Sequence, residues 1–230
     1  DTFALWAEAA DGGYALEALR FRMMYYWHSR QSAVFTSITN GIAEGDYTYY
    51  AVAPMPTSYS GKVATFNIPT EQEGTTFNGA YDVMVAAPLF AEAVELEKVN
   101  NFALDFSHKM HALKVNIAKN NLGCAISQLR FAFATNVTGN VSVDITDPSA
   151  EATLANGSKN LHINTSAGID QGATAWGAIF PQEVSDEITF TAIGVDGRES
   201  CTKTISLSKI CREGHITPLA LTIPEMKATI

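Results

Sequence analysis

His108 and His111 stand three residues apart in FALDFSHKMHALKVNIA, residues 102–118, and two imidazoles at that spacing could grip a metal ion. On a helix they would share a face; on a strand an odd spacing sends them to opposite faces. Even on a helix, two ligands leave a zinc site two short, and the chain offers no spaced Cys, His or carboxylate group to complete it. No metal role is expected, and both rings read as core histidines hydrogen-bonded to backbone.

The other residues able to do chemistry are equally sparse. Asp144 with Asp147, and Asp186 with Glu187, are carboxylate pairs in or beside turns, where solvated strand ends account for them. No G-x-S-x-G, H-E-x-x-H, P-loop, dinucleotide fingerprint or aspartate-rich calcium loop occurs. No catalytic or cofactor-binding residue is therefore assigned, no cofactor is expected, and the chain does not read as an enzyme. Cys124, Cys201 and Cys211 are an odd set in which at most one pair closes, Cys201 with Cys211 left open as that pair, so no disulfide framework holds the fold. Trp6, Trp27 and Trp176, with Tyr25, Tyr26, Tyr47, Tyr49 and Tyr50, could form a stacking platform for sugars. A carbohydrate-binding surface module is thus the alternative function, and a cluster of exposed rings on one rim would favour it. Adjacent aromatics along a strand point both ways, however, and read first as core.

Bulk properties narrow the partners. The 230 residues are 47% hydrophobic and 17% charged, a globular composition, and 15 basic against 24 acidic residues leave a net charge of −9. That balance opposes a nucleic-acid or anionic-lipid footprint. No apolar run is long enough for a membrane-spanning helix, and the opening DTFALWAE has neither the charged nor the apolar part of an export signal, so any signal is expected to be removed or left out.

Stepping from residues to elements, period-two alternation dominates. Leu19, Phe21, Met23, Tyr25 and Trp27 alternate with Ala18, Arg20, Arg22, Met24 and Tyr26, and similar runs follow at 46–53, 63–68, 81–86, 141–145, 161–163, 175–180, 188–195, 200–207 and 216–223. Asp196-Gly197 is expected to make a type I′ hairpin. So many short strands exceed one sandwich, and the fold class is all-β with two tandem β-sandwich domains, residues 1–95 and 96–230. The boundary falls in 88–101, the weakest stretch for strand. In 102–118 the apolar set starts on even positions and ends on odd ones. Helical spacing of Phe106, Met110, Leu113 and Ile117 competes with strand, but a lone helix among strands would lack a layer to pack on. A long strand with a β-bulge near 109–111 is expected, turning both histidines toward apolar neighbours.

Several of these blocks resemble one family. Phe106, His108 and Ala112-Leu113-Lys114-Val115-Asn116-Ile117, the preceding Tyr81–Ala86, GDYTYYAVAP at 45–54, AIFPQ at 178–182, and ITFTAIGVDGRES followed by GHITPLALTI together resemble the fimbrillin-like surface proteins of Bacteroidales. The resemblance implies transthyretin-like sandwiches, export as an outer-membrane lipoprotein precursor to the cell surface, and no catalysis. It implies a fimbrial (pilus) stalk, anchor, accessory or tip subunit in cell adhesion, with other fimbrial subunits as partners through donor-strand exchange, and a host or bacterial surface receptor. An incoming strand satisfies both the open backbone edge and the apolar trough of an incomplete sandwich.

In such proteins a protease cutting after Arg can release the first strand. Here that strand is 2–8, and the nearest candidates, Arg20 and Arg22, lie inside a patterned strand and read as solvent-facing. After 216–223 only PEMKATI remains, short for a separate donor segment. Truncation, a receiving tip or accessory subunit, and a mobile last strand all fit that observation.

Overall fold

The structure is a computed structural model and describes residues 2–26, 33–37, 42–93, 103–184, 187–206 and 209–227. Among the described residues there is no α-helix and one short 3-10 turn, Gly79–Tyr81. In chain order the first strands are β1 (Thr2–Ala9), β2 (Tyr14–Tyr26), β3 (Ala33–Ser37), β4 (Gly45–Ala53), β5 (Ser58–Ser60), β6 (Val63–Ile68) and β7 (Glu71–Glu73). There follow β8 (Met84–Ala86), β9 (Leu89–Ala93), β10 (Phe106–His108), β11 (His111–Asn120), β12 (Ile126–Ala132), β13 (Thr138–Asp144) and β14 (Thr153–Ser158). The last are β15 (Asn160–Ile169), β16 (Thr174–Ile179), β17 (Gln182–Val184), β18 (Glu187–Gly194), β19 (Lys203–Ser206), β20 (Lys209–Cys211) and β21 (Ile216–Ile223).

The fold is all-β, and the strands gather into two compact units, each made of separate stretches of chain. One comprises residues 1–66, 82–108 and 142–153, the other 67–81, 109–141 and 154–230. The expected boundary between residues 95 and 96 lies outside the described residues. Residues 89–93, within the stretch read as weakest for strand, form β9 and pair with Gly45–Tyr49 of β4.

The first unit is built on a seven-stranded sheet in the order β10-β8-β4-β1-β2-β3, with β9 on a further length of β4. In β1, Phe3, Leu5 and Ala7 point one way and Ala4 and Trp6 the other, and all five are buried. That continuous burial marks an inner strand covered on both faces. Phe3 stacks on Phe21 with ring centroids 5.0 Å apart and meets Phe35 and Phe106 edge-on at 4.8 and 5.8 Å. Burying such a ring is worth about 2–3 kcal/mol.

The second unit has a three-stranded sheet, β16-β11-β21, and a five-stranded one, β19-β18-β12-β15-β7. β11 runs antiparallel to β16 and parallel to β21. Leu113, Val115 and Ile117 of β11 and Leu219 and Leu221 of β21 share one core with Leu129, Phe131, Leu161, Ile163 and Phe190 of the larger sheet. β18 and β21 keep the alternation of strands with one dry and one wet face.

Three sequence expectations are corrected. Residues 102–118 do not form one bulged strand: β10 ends at His108 in the first unit and β11 begins at His111 in the second. Leu104 and Phe106 pack against the core of the first unit, Leu113, Val115 and Ile117 lie in that of the second, and the change of phase marks the passage between them. A register shift does occur in β11, but between Ile117 and Lys119. Asp196-Gly197 joins β18 and β19, yet only Gly197 has positive φ, 83°, and its N–H donates to Gly194 O at 3.0 Å. Val195 and Asp196 therefore centre the turn with Gly197 following in the left-handed region, the three-residue hairpin geometry instead of type I′. Residues 81–86 are a strand only from Met84, because the 3-10 turn takes up the beginning.

Candidate interaction surfaces

The two histidines have separate partners. His111 is 1% exposed. Its Nδ1–H donates to Arg212 O at 2.9 Å, which leaves Nε2 to accept from the Thr217 hydroxyl at 3.0 Å. Burial pushes its pKa below the usual histidine value, so the neutral ring is the one these bonds require. With both nitrogens engaged, no lone pair is left for a metal. His108 departs from the expectation of a core ring. Its side chain is half exposed, and Nδ1 lies 2.9 Å from Asp82 Oδ1, a contact that raises its pKa. Between them Lys109 is buried and its Nζ lies 2.9 Å from Glu213 Oε2.

The remaining chemical candidates are occupied by local structure. Asp144 Oδ1 accepts from the Thr146 N–H and hydroxyl at 2.8 and 2.7 Å, and Asp147 Oδ1 does the same for Ser149 at 2.8 and 2.6 Å. Asp186 lies outside the described residues, and Glu187 is exposed. None of the three cysteines is in a disulfide: Cys211 is buried, Cys201 exposed, and Cys124 half-buried with Sγ 3.3 Å from Asp196 Oδ1. Burial and that carboxylate push the Cys124 thiol pKa up, away from nucleophilic chemistry. Among the described residues no group of three or more His, Cys, Asp or Glu is placed to hold a metal, and no helix is long and apolar enough to cross a membrane.

Two features are candidates for contact with other molecules. The first is the inner strand β1 of the first unit, with the end strand β21 of the second. β1 is inserted between β2 and β4, with Leu5 opposite Leu19 on one side and Ala51 on the other. A chain lacking β1 would therefore present two unpaired strand edges flanking an apolar trough. Arg20 and Arg22 are exposed in β2, opposite Ala4 and Thr2 of β1, and Arg22 is also opposite Thr36 of β3. Their backbone is thus held in the sheet. β21 forms the end of its own three-stranded sheet.

The second surface is a ring cluster. Trp6, Tyr47, Tyr49 and Tyr50 are buried, and Trp27 lies outside the described residues. Trp176 differs: half-buried on β16, it meets the 40%-exposed Phe77 edge-on at 5.8 Å, while Lys114 Nζ sits 5.3 Å from its ring centroid. Glu73, Asn78 and Tyr81 complete a shallow crevice beside these rings, with Gly177 and Ala178 behind.

The model of the fimbrillin-like family matches residues 23–230. The chain belongs to the fimbrillin-like family. Two solved structures share its fold. A candidate cell adhesion protein from Bacteroides uniformis is 16% identical, with a TM-score of 0.64, over 96% of this chain and 86% of that one. A second, from Bacteroides ovatus, is 18% identical, with a TM-score of 0.60, over 100% of this chain and 84% of that one. No curated protein matches.

Among the buried polar residues of this fimbrillin-like chain that the alternation of the sequence does not foretell are Gln72 and Lys109. Gln72 is fully buried on β7, and its amide bonds both backbone groups of Ala178. Lys109 lies where the chain passes between units. Nothing local distinguishes either from a solvent-facing polar residue; the phase change at 109–111 was the one signal near Lys109.

Proposed function

We propose that this fimbrillin-like chain is a non-catalytic subunit of a bacterial surface fimbrium, in a stalk, anchor, accessory or tip position, serving adhesion. In this reading its two units are transthyretin-like sandwiches, the mature protein is exported to the outer membrane as a lipoprotein, and it joins its neighbours by strand exchange. Family membership and two neighbours of the same fold named for cell adhesion support it. The observation that carries the exchange mechanism is the position of β1, apolar on both faces and paired on both edges. Its removal opens a groove whose backbone and side-chain demands another extended apolar segment meets. Cleavage after Arg20 or Arg22 would free β1 together with the first part of β2, once β2 has opened.

The test is a variant lacking residues 2–9. It should be soluble, less stable than the parent and self-associating, and a peptide TFALWAEA or a partner's terminal strand should raise its melting temperature. A monomer of unchanged stability, indifferent to every strand peptide, would overturn the mechanism.

A further inference from the structure

We infer that the groove holding β1 selects its occupant by a bulky aromatic ring followed two residues later by a carboxylate, so that a strand donated by a neighbouring subunit must carry the pair that Trp6 and Glu8 make. This rests on the strand-exchange reading and names the chemistry of the partner strand.

Trp6 and Glu8 stand two apart on one face of β1, and the groups that recognise them belong to other strands. Trp6 is fully buried opposite Tyr50 of β4 and meets Tyr59 of β5 edge-on at 5.6 Å. Glu8 Oε2 accepts from the Tyr50 hydroxyl at 2.8 Å, and Lys62 Nζ lies 3.5 Å from the same oxygen. Burial, and then that bond, push the Tyr50 pKa up to about 12, so its hydroxyl remains a donor in need of an acceptor. The hydroxyl of Tyr14, opposite Glu8 on β2, is buried without a hydrogen-bond partner, so this end of the groove offers a further donor. A neutral apolar or basic residue in the place of Glu8 would leave the buried Tyr50 donor unsatisfied beside a cation.

These groups are anchored independently of β1. The hairpin of β5 and β6 is closed by its own pairs, Ser58 opposite Thr65 and Ser60 opposite Val63, and Lys62 O accepts from Ile145 N–H at 2.9 Å. The chain also spells the ring and acid a second time: Leu5-Trp6-Ala7-Glu8-Ala9 and Leu89-Phe90-Ala91-Glu92-Ala93 differ only in the ring. β9 sets the second version on the opposite edge of β4, and there Phe90 is 70% exposed and Glu92 is exposed too. Pairing with β4 therefore does not by itself engage the two side chains. Tyr59 and Lys62 of the hairpin mark out the β1 groove.

The test is peptide exchange on the whole chain, with a specific protease site placed in the exposed turn at Asp11-Gly12, so that cutting frees β1 without removing it. Labelled TFALWAEA should replace the cut strand. Its Glu8→Gln form should bind about tenfold more weakly, and its Glu8→Lys and Trp6→Ala forms more weakly still. In a chain carrying Tyr50→Phe and Lys62→Met, the preference for Glu over Gln should fall to about twofold or less. Should that double variant fail to fold, Lys62→Met alone, in an exposed turn, decides by at least about halving the preference. Equal binding of the Glu and Gln peptides, or a preference untouched by these substitutions, would overturn the inference and leave strand exchange standing. Refusal of every peptide, TFALWAEA included, would overturn both.

Discussion

The side chain of Gln72 closes a two-bond ring on the backbone of Ala178: Nε2 donates to Ala178 O at 2.9 Å and Oε1 accepts from Ala178 N–H at 2.8 Å. One amide thereby does what a neighbouring strand would do. Gln72→Ala leaves both backbone groups buried without partners and is expected to cost about 3 kcal/mol, read as a fall in the urea midpoint. Gln72→Glu keeps the shape but sets a carboxylate oxygen against Ala178 O. It should be at least as destabilising at neutral pH and recover in part as acid restores a donor. A loss below about 0.5 kcal/mol in Gln72→Ala would show that water replaces the amide.

His108 and His111 respond to pH in opposite directions. His108 is raised by its hydrogen bond to Asp82, so the stability it contributes is fully present below the ordinary value of 6.5 and is lost as pH rises through its folded pKa. His111 is lowered by burial, so its contribution is present above 6.5 and is lost as pH falls through its folded pKa. NMR titration should place the His108 midpoint above 6.5 and that of His111 below it, and Asp82→Asn should bring His108 down. Replacing both histidines should leave zinc content unchanged; stoichiometric zinc that disappears with them would restore a metal site.

Two glycines separate crowding from conformation. At Gly74 an added Cβ would meet Ile163 Cγ2 and Trp176 O, both at 2.2 Å, so Gly74→Ala should cost about 2–3 kcal/mol as the backbones are forced apart. Gly61 has φ +55° and open space around it, so Gly61→Ala should cost only about 1–2 kcal/mol, the strain of a left-handed alanine. Equal losses at the two positions in denaturant titrations would contradict the close approach at Gly74.

The sequence makes legible what has a local period. The strand at Ile216–Ile223 is found at its predicted limits, and β18 and β4 lie within a residue or so of theirs, because alternation is written into consecutive residues. The passage of the chain at Lys109 and Met110 is not legible, since a strand that ends in one core and a strand that restarts in another shift the apolar phase as a bulge does. Gln72 is hidden for a different reason: its partner stands about 100 residues away, and nothing in EQE announces a buried amide. For the rings, the alternation that buries Trp6 could not foretell that Trp176 would stay half open beside Phe77.

The parallel pairing of β11 with β21 orders events during synthesis. Ala112 meets Ile216 and Val115 meets Leu219, so the partners emerge from the ribosome about 100 residues apart. Until the later segment exists, the aliphatic row Leu113, Val115 and Ile117 lacks one of its two flanking strands. The nascent polypeptide must therefore travel with that row partly bare, and this sheet of the second unit closes only once β21 has emerged.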